Sequence, residues 1–333
     1  MLRILCIGYH GFSNAGDDWL LSQTQFLFKK QNPSIQIECL TTNRYKIPWL
    51  FSYDAFVYAG GSLLQDSTSY KSFYFYLVFL FFAILLRKPV LFLGQGLGPI
   101  SHPFHRFLCR FFIQHANVQG TLRDEESLGY LKGVSHHLIV ANDLAFYPSG
   151  ITLNPSVSLD GFMQGSVTNK TCMGLNLRPW SFDSNLVLQV IKKANLHWKG
   201  ISLSCEDAFL YQTFQFPDVV LDLRPRCTLI QGKKLEMKGM LVMRYHAAVW
   251  AAIQGIPFFM LVYDPKCEAL ARCLGQPLLS VSFLDSFQEK FTDFLAQLSS
   301  YQEILQRKLK DEAAKSFLHE TAVAAFLKQY KLF

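Results

Sequence analysis

The 333-residue sequence has little charge, with Asp, Glu, Lys and Arg making up 17% of it. It has no basic run of the kind that forms a nucleic-acid tail. The net charge of +7 comes from Lys and Arg spread along the chain, so no nucleic-acid partner is expected. No Cys-x-x-Cys pair occurs, and none of the eight cysteines stands at metal-ligand spacing from a histidine. No Gly-x-Gly-x-x-Gly occurs, which excludes the dinucleotide fingerprint. No apolar run reaches the roughly 20 residues that cross a bilayer. The one candidate, Phe73 to Leu86, has 14 residues and reads as a buried helix, with a helix resting on a membrane surface as the alternative. Met1 to Tyr9 is too short for a signal peptide. There is no internal repeat and no low-complexity tract.

What is present is apolar. Half the residues are hydrophobic and 30 are Phe, too many for disorder and suited to sheets covered on both faces. Several cysteines lie inside apolar strand-like runs, as small hydrophobes do in a reducing compartment, so a cytoplasmic protein is expected. The mild positive excess fits acidic substrates or an anionic membrane surface.

The length allows two domains. Strands are expected at Leu2 to Gly8, Ile35 to Leu40, Ala55 to Ala59, Pro89 to Leu93, Val118 to Leu122 and His137 to Ala141. Helices fall between them at Asp17 to Lys30, Ser72 to Leu86, Phe104 to His115 and Asp124 to Lys132. This alternation implies a mostly parallel sheet. Residues 148–170, rich in Pro, Gly, Ser and Asn, read as a linker. The pattern resumes with strands near Cys172 to Leu177, His197 to Leu203, Val219 to Leu221, Gly239 to Met243, Phe258 to Val262 and Leu278 to Val281, and turns helical after Phe283. The fold class expected is α/β, with two Rossmann-like domains facing a cleft in a GT-B-like architecture and a helical C-terminal tail. The domains are residues 1–147 and 171–333.

Ligands of parallel sheets bind beyond the carboxyl ends of the strands. Four such ends carry a cation. Arg123 follows the fifth strand, and Arg178 follows the strand ending at Leu177. Arg244 and His246 follow Met243; two residues apart, they would share one face of an extended strand. Lys266 follows Val262 and the turn Tyr263-Asp264-Pro265. With Asp264 as N-cap and Pro265 as first helical residue, Lys266 sits in the first turn, where it opposes the helix dipole. An anion held by the ammonium and the helix N-terminus would remove that conflict. Glycine-bearing loops follow three strands of the first half: Gly8 to Asp17, Gly60 to Ser62 and Gly94 to Pro99. They mark a rim that a ligand could approach closely.

The same residues carry a family resemblance. Gly11 to Asp17 (GFSNAGD), Gly60 to Asp66 (GGSLLQD), Gln95 to Pro99 (QGLGP), Arg123 to Ser127 (RDEES), Arg178 to Trp180 (RPW), Met243 to His246 (MRYH) and Tyr263 to Lys266 (YDPK) occur in that order. Together they resemble the polysaccharide pyruvyl transferases of the bacterial CsaB type. The chain departs from the family pattern at Ala59, at Tyr245 in place of Leu, at Asp18 in place of Glu, and in a short linker region.

The resemblance implies transfer of the enolpyruvyl group of phosphoenolpyruvate to two hydroxyls of a sugar in a cell-surface polysaccharide precursor. The product is a cyclic ketal, and phosphate is released. It implies phosphoenolpyruvate as donor substrate, no cofactor and no metal, since the cations supply the charge. Arg123 and Lys266 would bind the donor with Arg244 in support, Arg178 would be a further substrate-binding residue, and His246 would be the catalytic acid. Asn14, Asp17, Gly60, Gly61 and Gln95 are the acceptor-side candidates. The acceptor would be lipid-linked, with the enzyme held peripherally at the inner face of the membrane. Two other readings stand beside this one. The first is a nucleotide-sugar glycosyltransferase of the same architecture, with Glu206 or Asp207 holding a donor ribose. The second is a non-catalytic sugar-binding or membrane-surface-binding protein.

Overall fold

A computed structural model describes residues 2–40, 50–67, 69–134, 136–153, 156–157, 171–217, 219–223, 227–229 and 237–330. Of the linker expected at 148–170, residues 154–155 and 158–170 lie outside the described residues. The chain divides into two compact units. One comprises Met1–Phe12, Asp17–Ile151 and Glu312–Phe333; the other comprises Ser13–Gly16 and Thr152–Asp311.

The first unit is built on six strands: β1 (Arg3–Ile7), β2 (Gln36–Cys39), β3 (Ala55–Ala59), β4 (Val90–Gln95), β5 (Val118–Leu122) and β6 (His137–Val140). Their order is β2-β1-β3-β4-β5-β6, and every pairing is parallel, with Cys6 opposite Cys39 on one side and Val57 on the other. Parallel strands covered on both faces need unbroken apolar runs, and β3 and β4 are buried along their whole length.

Among the described residues, four helices connect these strands. In α1 (Ala15–Gln31), Asp17 and Asp18 open the helix and Lys29 and Lys30 close it, complementing its dipole. α2 is Tyr70–Leu85 and α3 is Pro103–His115. α4 (Glu125–Gly129) is shorter than the expected Asp124 to Lys132. Asp124 caps it, but the chain continues past Gly129 as turns towards Gly133, whose φ is +76°.

The second unit carries β8 (Ser156–Val157), β9 (Cys172–Asn176), β10 (His197–Ser202), β11 (Val219–Asp222), β13 (Gly239–Val242), β14 (Phe258–Val262) and β15 (Leu278–Ser280). A separate two-stranded sheet pairs β7 (Ile151–Leu153) with β12 (Cys227–Leu229). The main order is β15-β14-β13-β9-β10-β11-β8, parallel except where β8 runs against β11. β9, the first of the parallel strands, lies between β10 and β13, so the strand order reverses beside it.

Helices α5 (Ser184–Lys193), α6 (Cys205–Phe214), α7 (Tyr245–Ile253) and α8 (Pro265–Cys273) connect the strands. α9 (Phe287–Ala296) and the 32-residue α10 (Leu298–Gln329) follow. Phe259, Phe287, Phe291 and Phe294 stack edge and face in the core of this unit.

The expected tail belonged wholly to the second half, whereas Glu312–Phe333 group with the first unit. Polar contacts explain the difference. Buried His319 reaches Thr121 Oγ1 at 2.8 Å through Nδ1 and Asn142 Oδ1 at 3.2 Å through Nε2. Asn142 Nδ2 donates to the Glu312 carbonyl at 2.6 Å, and Glu320 pairs with Lys30 at 2.8 Å. Gly94 leaves the room for this seam, because a β-carbon there would meet the Asn142 carbonyl at 2.9 Å.

Candidate active site

In the second unit the switch point lies between β9 and β13, and a buried polar residue ties the strand ends there. Asn176, the last residue of β9, is fully buried. Its Oδ1 accepts the Arg244 N–H at 2.9 Å, and its Nδ2 donates to the Ile201 carbonyl of β10 at 2.9 Å. Arg244 is the N-cap of α7. Its Nε donates to both Asp207 oxygens at 2.8 Å, and its Nη2 donates to Asp207 Oδ1 and Ser204 Oγ, each at 2.6 Å. Asp207 is wholly buried in the first turn of α6, where it also accepts the Leu203 N–H. Burial alone would lower the Arg244 pKa; Asp207 outweighs it and raises the pKa above its ordinary value. Arg244 is thus a fixed cation, and the buried, engaged Asp207 is removed as a ribose acceptor.

The expectation that Arg244 and His246 share one strand face is corrected. β13 stops at Val242, Arg244 is the cap residue, and His246 stands in the first turn of α7. The Met243 N–H still donates to the Asn176 backbone carbonyl as a ladder bond, and the next N–H, of Arg244, turns onto the Asn176 side chain. His246 is half-buried and packs against Gly16, where a β-carbon would lie 2.2 Å from the imidazole Nδ1. Asn14, an acceptor-side candidate, lies within Ser13–Gly16, which group with the second unit. Asn14 bridges to Ser204, and Ala15 N–H donates to the Leu203 carbonyl at 2.9 Å.

Arg178 follows β9 by two residues. Its guanidinium lies 5.0 Å from the Trp180 ring and 4.7 Å from the Tyr263 ring, with Nη1 donating to the Tyr263 hydroxyl at 2.9 Å. Burial pushes the Tyr263 phenol up to about 12, and Tyr263 also acts electrostatically on Arg244. Tyr263 therefore joins the ends of β9, β13 and β14. The buried Arg178 Nε has no hydrogen-bond partner among the described residues. Asp264 caps α8, and Lys266 stands in the first turn as expected. Asp264 itself supplies an anion, with Oδ2 3.5 Å from Lys266 Nζ, so the dipole conflict is partly relieved without a ligand.

In the first unit the glycine loops form a second polar cluster. Gly60 and Gly61 have φ of +68° and +72°. Gln95 is fully buried and donates through Nε2 to the carbonyls of Gly61 and Gly96. A β-carbon at Gly96 would lie 2.7 Å from Ser62 Oγ and 2.8 Å from Arg123 Nη2. Arg123 is nearly buried and donates through Nε to Asp124 at 3.0 Å. Asp17 faces Gly61 from α1, with Oδ1 3.7 Å from where a β-carbon would stand. Ser62 Oγ and Gln95 Oε1 are buried without a hydrogen-bond partner among the described residues. A cavity of about 240 Å³ near the end of β1 is lined by Gly8, Tyr9, Phe12, Leu40, Ser72, Phe75 and Tyr76, with Tyr9 and Phe12 stacked at 4.3 Å.

Arg178, Arg244, His246, Lys266 and Asn14 thus belong to the second unit; Arg123, Asp17, Gly60, Gly61 and Gln95 belong to the first. Asn176, Ser204, Asp207, Tyr263 and Ser62 complete these clusters and were not expected as site residues of a pyruvyl transferase. Ser62 and Tyr263 lie within the motifs quoted above, and an Asn at the end of an apolar strand is a further legible sign, since a buried amide needs partners.

A sequence profile of the family described as polysaccharide pyruvyl transferase matches residues 14–201. The chain belongs to the polysaccharide pyruvyl transferase family. The match takes in Asn14, Asp17, the Gly60–Gly61 loop, Gln95, Arg123 and Arg178, and ends before Arg244, His246 and Lys266. No curated protein matches the sequence.

Among solved structures, S. aureus MnaA with UDP is similar at a TM-score of 0.58 and 10% identity, covering 100% of this chain and 98% of that one. UDP-GlcNAc 2-epimerase from Neisseria meningitidis, bound to UDP-GlcNAc, has a TM-score of 0.54 and 12% identity, covering 99% and 100%. The spinosyn forosaminyltransferase SpnP has a TM-score of 0.55 and 10% identity, covering 99% of each chain. At these identities the likeness is one of fold, and this member of the family has the two Rossmann-like units of the GT-B class with a helical C-terminal segment.

Proposed function

We propose that this protein transfers the pyruvyl group of phosphoenolpyruvate to two hydroxyls of one sugar in a polysaccharide precursor. Both C–O bonds form at the former enol carbon, and its bond to the phosphate oxygen breaks. One hydroxyl proton ends on the methylene carbon, which becomes the ketal methyl, and the other leaves with the phosphate. The observation that carries this reading is the second unit's cation cluster at the switch point, within a chain of this family. Arg178 offers a buried guanidinium Nε that an anionic oxygen would satisfy, Arg244 is a cation fixed by Asp207, and Lys266 stands at a helix N-terminus. We assign these three to the donor's phosphate and carboxylate, and Arg123, in the first unit, to substrate binding. His246 is assigned as the acid for the methylene carbon.

On the first unit, Asp17, Gly60, Gly61 and Gln95 are assigned to the acceptor, together with the open acceptor atom of Gln95 and the Ser62 hydroxyl. The stacked Tyr9 and Phe12 supply a flat wall suited to a sugar ring. Asn14 is reassigned to the donor side, where it pairs with Ser204. The acceptor is proposed to be lipid-linked and the reaction cytoplasmic, at the inner face of the membrane. The test is phosphate release from phosphoenolpyruvate in the presence of sugar acceptors. Product mass should rise by one pyruvate less one water. Phosphate release without that mass gain, or transfer from UDP-sugars instead, would remove the reading.

A further inference from the structure

Eight of the sixteen large hydrophobic side chains exposed among the described residues lie on two neighbouring helices, α2 and α3. On α2 they are Tyr70, Tyr74, Val78, Phe81 and Leu85, spaced by four, four, three and four residues, which keeps them on one face. On α3 they are Phe104, Phe107 and Phe111, again at spacings of three and four. Leu85 is 62% exposed and Phe107 60%. The opposite faces of both helices are buried, through Phe73, Leu80 and Ala83 on α2 and Cys109 and Ile113 on α3. The exposed stripe is therefore additional to what the fold requires. Phe81 touches Phe112 across the two helices, with ring centroids 6.4 Å apart, so the stripes adjoin.

The two helices are also tied together. Buried His105 on α3 reaches the Tyr74 hydroxyl at 3.0 Å through Nε2 and Asp66 at 2.9 Å through Nδ1. Asp66 accepts the N–H groups of Ser101 and His102 as well. One carboxylate thus pins the starts of both helices. Those starts follow the loops after β3 and β4, so the Tyr70 and Tyr74 end of the stripe adjoins the glycine loops of the first unit.

Charge identifies the occupant. Between Asp66 and Arg123 the chain carries Lys71, Arg87, Lys88, Arg106 and Arg110 and no Asp or Glu. Lys71 is exposed on α2 and Arg87 just beyond its end, whereas the Arg106 guanidinium is turned to the Ile100 carbonyl at 2.8 Å and the Tyr130 ring. Two copies of this face would bring like charges together. An anionic bilayer offers the opposite charge to the cations and an apolar layer to the rings.

We infer that the paired faces of α2 and α3 are a membrane-docking surface for anionic phospholipid, which seats the glycine-loop end of the first unit at the headgroups. This deepens the proposed reading, and lipid binding is measured without substrate so that either can fail alone. The intact chain would be sedimented with phosphatidylcholine vesicles, with and without phosphatidylglycerol. Binding should be about tenfold tighter with the anionic lipid and should weaken in salt. The Phe81→Ser/Phe107→Ser variant, changed only at exposed positions, should keep its circular dichroism and lose about tenfold or more in vesicle affinity. Its phosphate release with a soluble acceptor should match the parent. Absence of parent binding to anionic vesicles, or equal binding by the variant, overturns the inference. So does a concentration-dependent dimer that these substitutions dissociate while no vesicle binds. Failure of phosphate release in parent and variant alike, with lipid binding intact, tells against the reaction and leaves the docking surface standing.

Discussion

Gly16 and His246 are in contact so close that only a glycine fits: a β-carbon on residue 16 would lie 2.2 Å from Nδ1 and 2.5 Å from Cγ of the imidazole. Neither ring atom is the end of a long side chain that can swing away. Gly16→Ala should therefore displace the imidazole while leaving the core intact. A displacement of about an ångström at a reacting group lowers turnover on the order of 10²-fold. The expected result is a loss of that size in kcat for phosphate release with unchanged circular dichroism. Parent-like turnover would show that the imidazole position does not matter to the reaction.

Asp207 is committed to Arg244. Removing one partner from a buried pair leaves an uncompensated charge and costs about 3–5 kcal/mol. Asp207→Ala should destabilise by that order, measured by urea denaturation. The Asp207→Ala/Arg244→Ala double variant should lose less than the sum of the two single variants, by roughly 0.5–3 kcal/mol. Strict additivity would mean that the two side chains do not depend on each other.

Two histidines make stability sensitive to acid. Burial holds His319 down to about 3 and His10 down to about 4, against an ordinary 6.5. A depressed folded-state pKa means that the unfolded chain binds the proton first. The stability each neutral imidazole brings is complete above the ordinary value and is lost as pH falls towards the folded value. Each site should contribute a slope of about 1.4 kcal/mol per pH unit within its window. In His319→Gln, the difference in urea midpoint between neutral pH and about pH 5 should shrink relative to the parent. An unchanged acid limb would place the sensitivity elsewhere.

Much of the fold was legible because parallel strands buried on both faces must be apolar along their length, as in Ala55–Ala59 and Phe258–Val262. Helix ends were legible where local chemistry sets them, as with Asp264 and Pro265 before Lys266. What the sequence could not give was partnership at a distance. Nothing near residue 244 shows that Asp207, 37 positions earlier, holds the Arg244 guanidinium. Nothing near Glu312 shows that the last part of a continuous helix packs with Asn142. The motif from Gly11 to Asp17 was visible, but the grouping of its middle residues with Ser204 rests on backbone pairing that no spacing encodes. The periodicity of Phe73 to Leu86 pointed to a helix. Which face of it stayed uncovered depended on where α3 lay.

His246 carries the most direct test of the proposed chemistry. It stands in the first turn of α7, half-buried, beside Arg244 as the cap residue and against Gly16. If it delivers the proton to the methylene carbon, phosphoenolpyruvate affinity should survive its loss, because Arg178, Arg244 and Lys266 remain. Turnover should fall by roughly 10²-fold or more, the usual scale for a positioned acid. His246→Gln is the sharper variant, since an amide donates a hydrogen bond but cannot give up a proton near neutrality. Donor affinity measured by thermal shift separates the two roles. Weak turnover with retained affinity assigns the acid. Retained turnover in His246→Gln would make the residue a packing partner of Gly16 and move the proton source elsewhere. Lost affinity with an intact fold would make it a phosphate ligand.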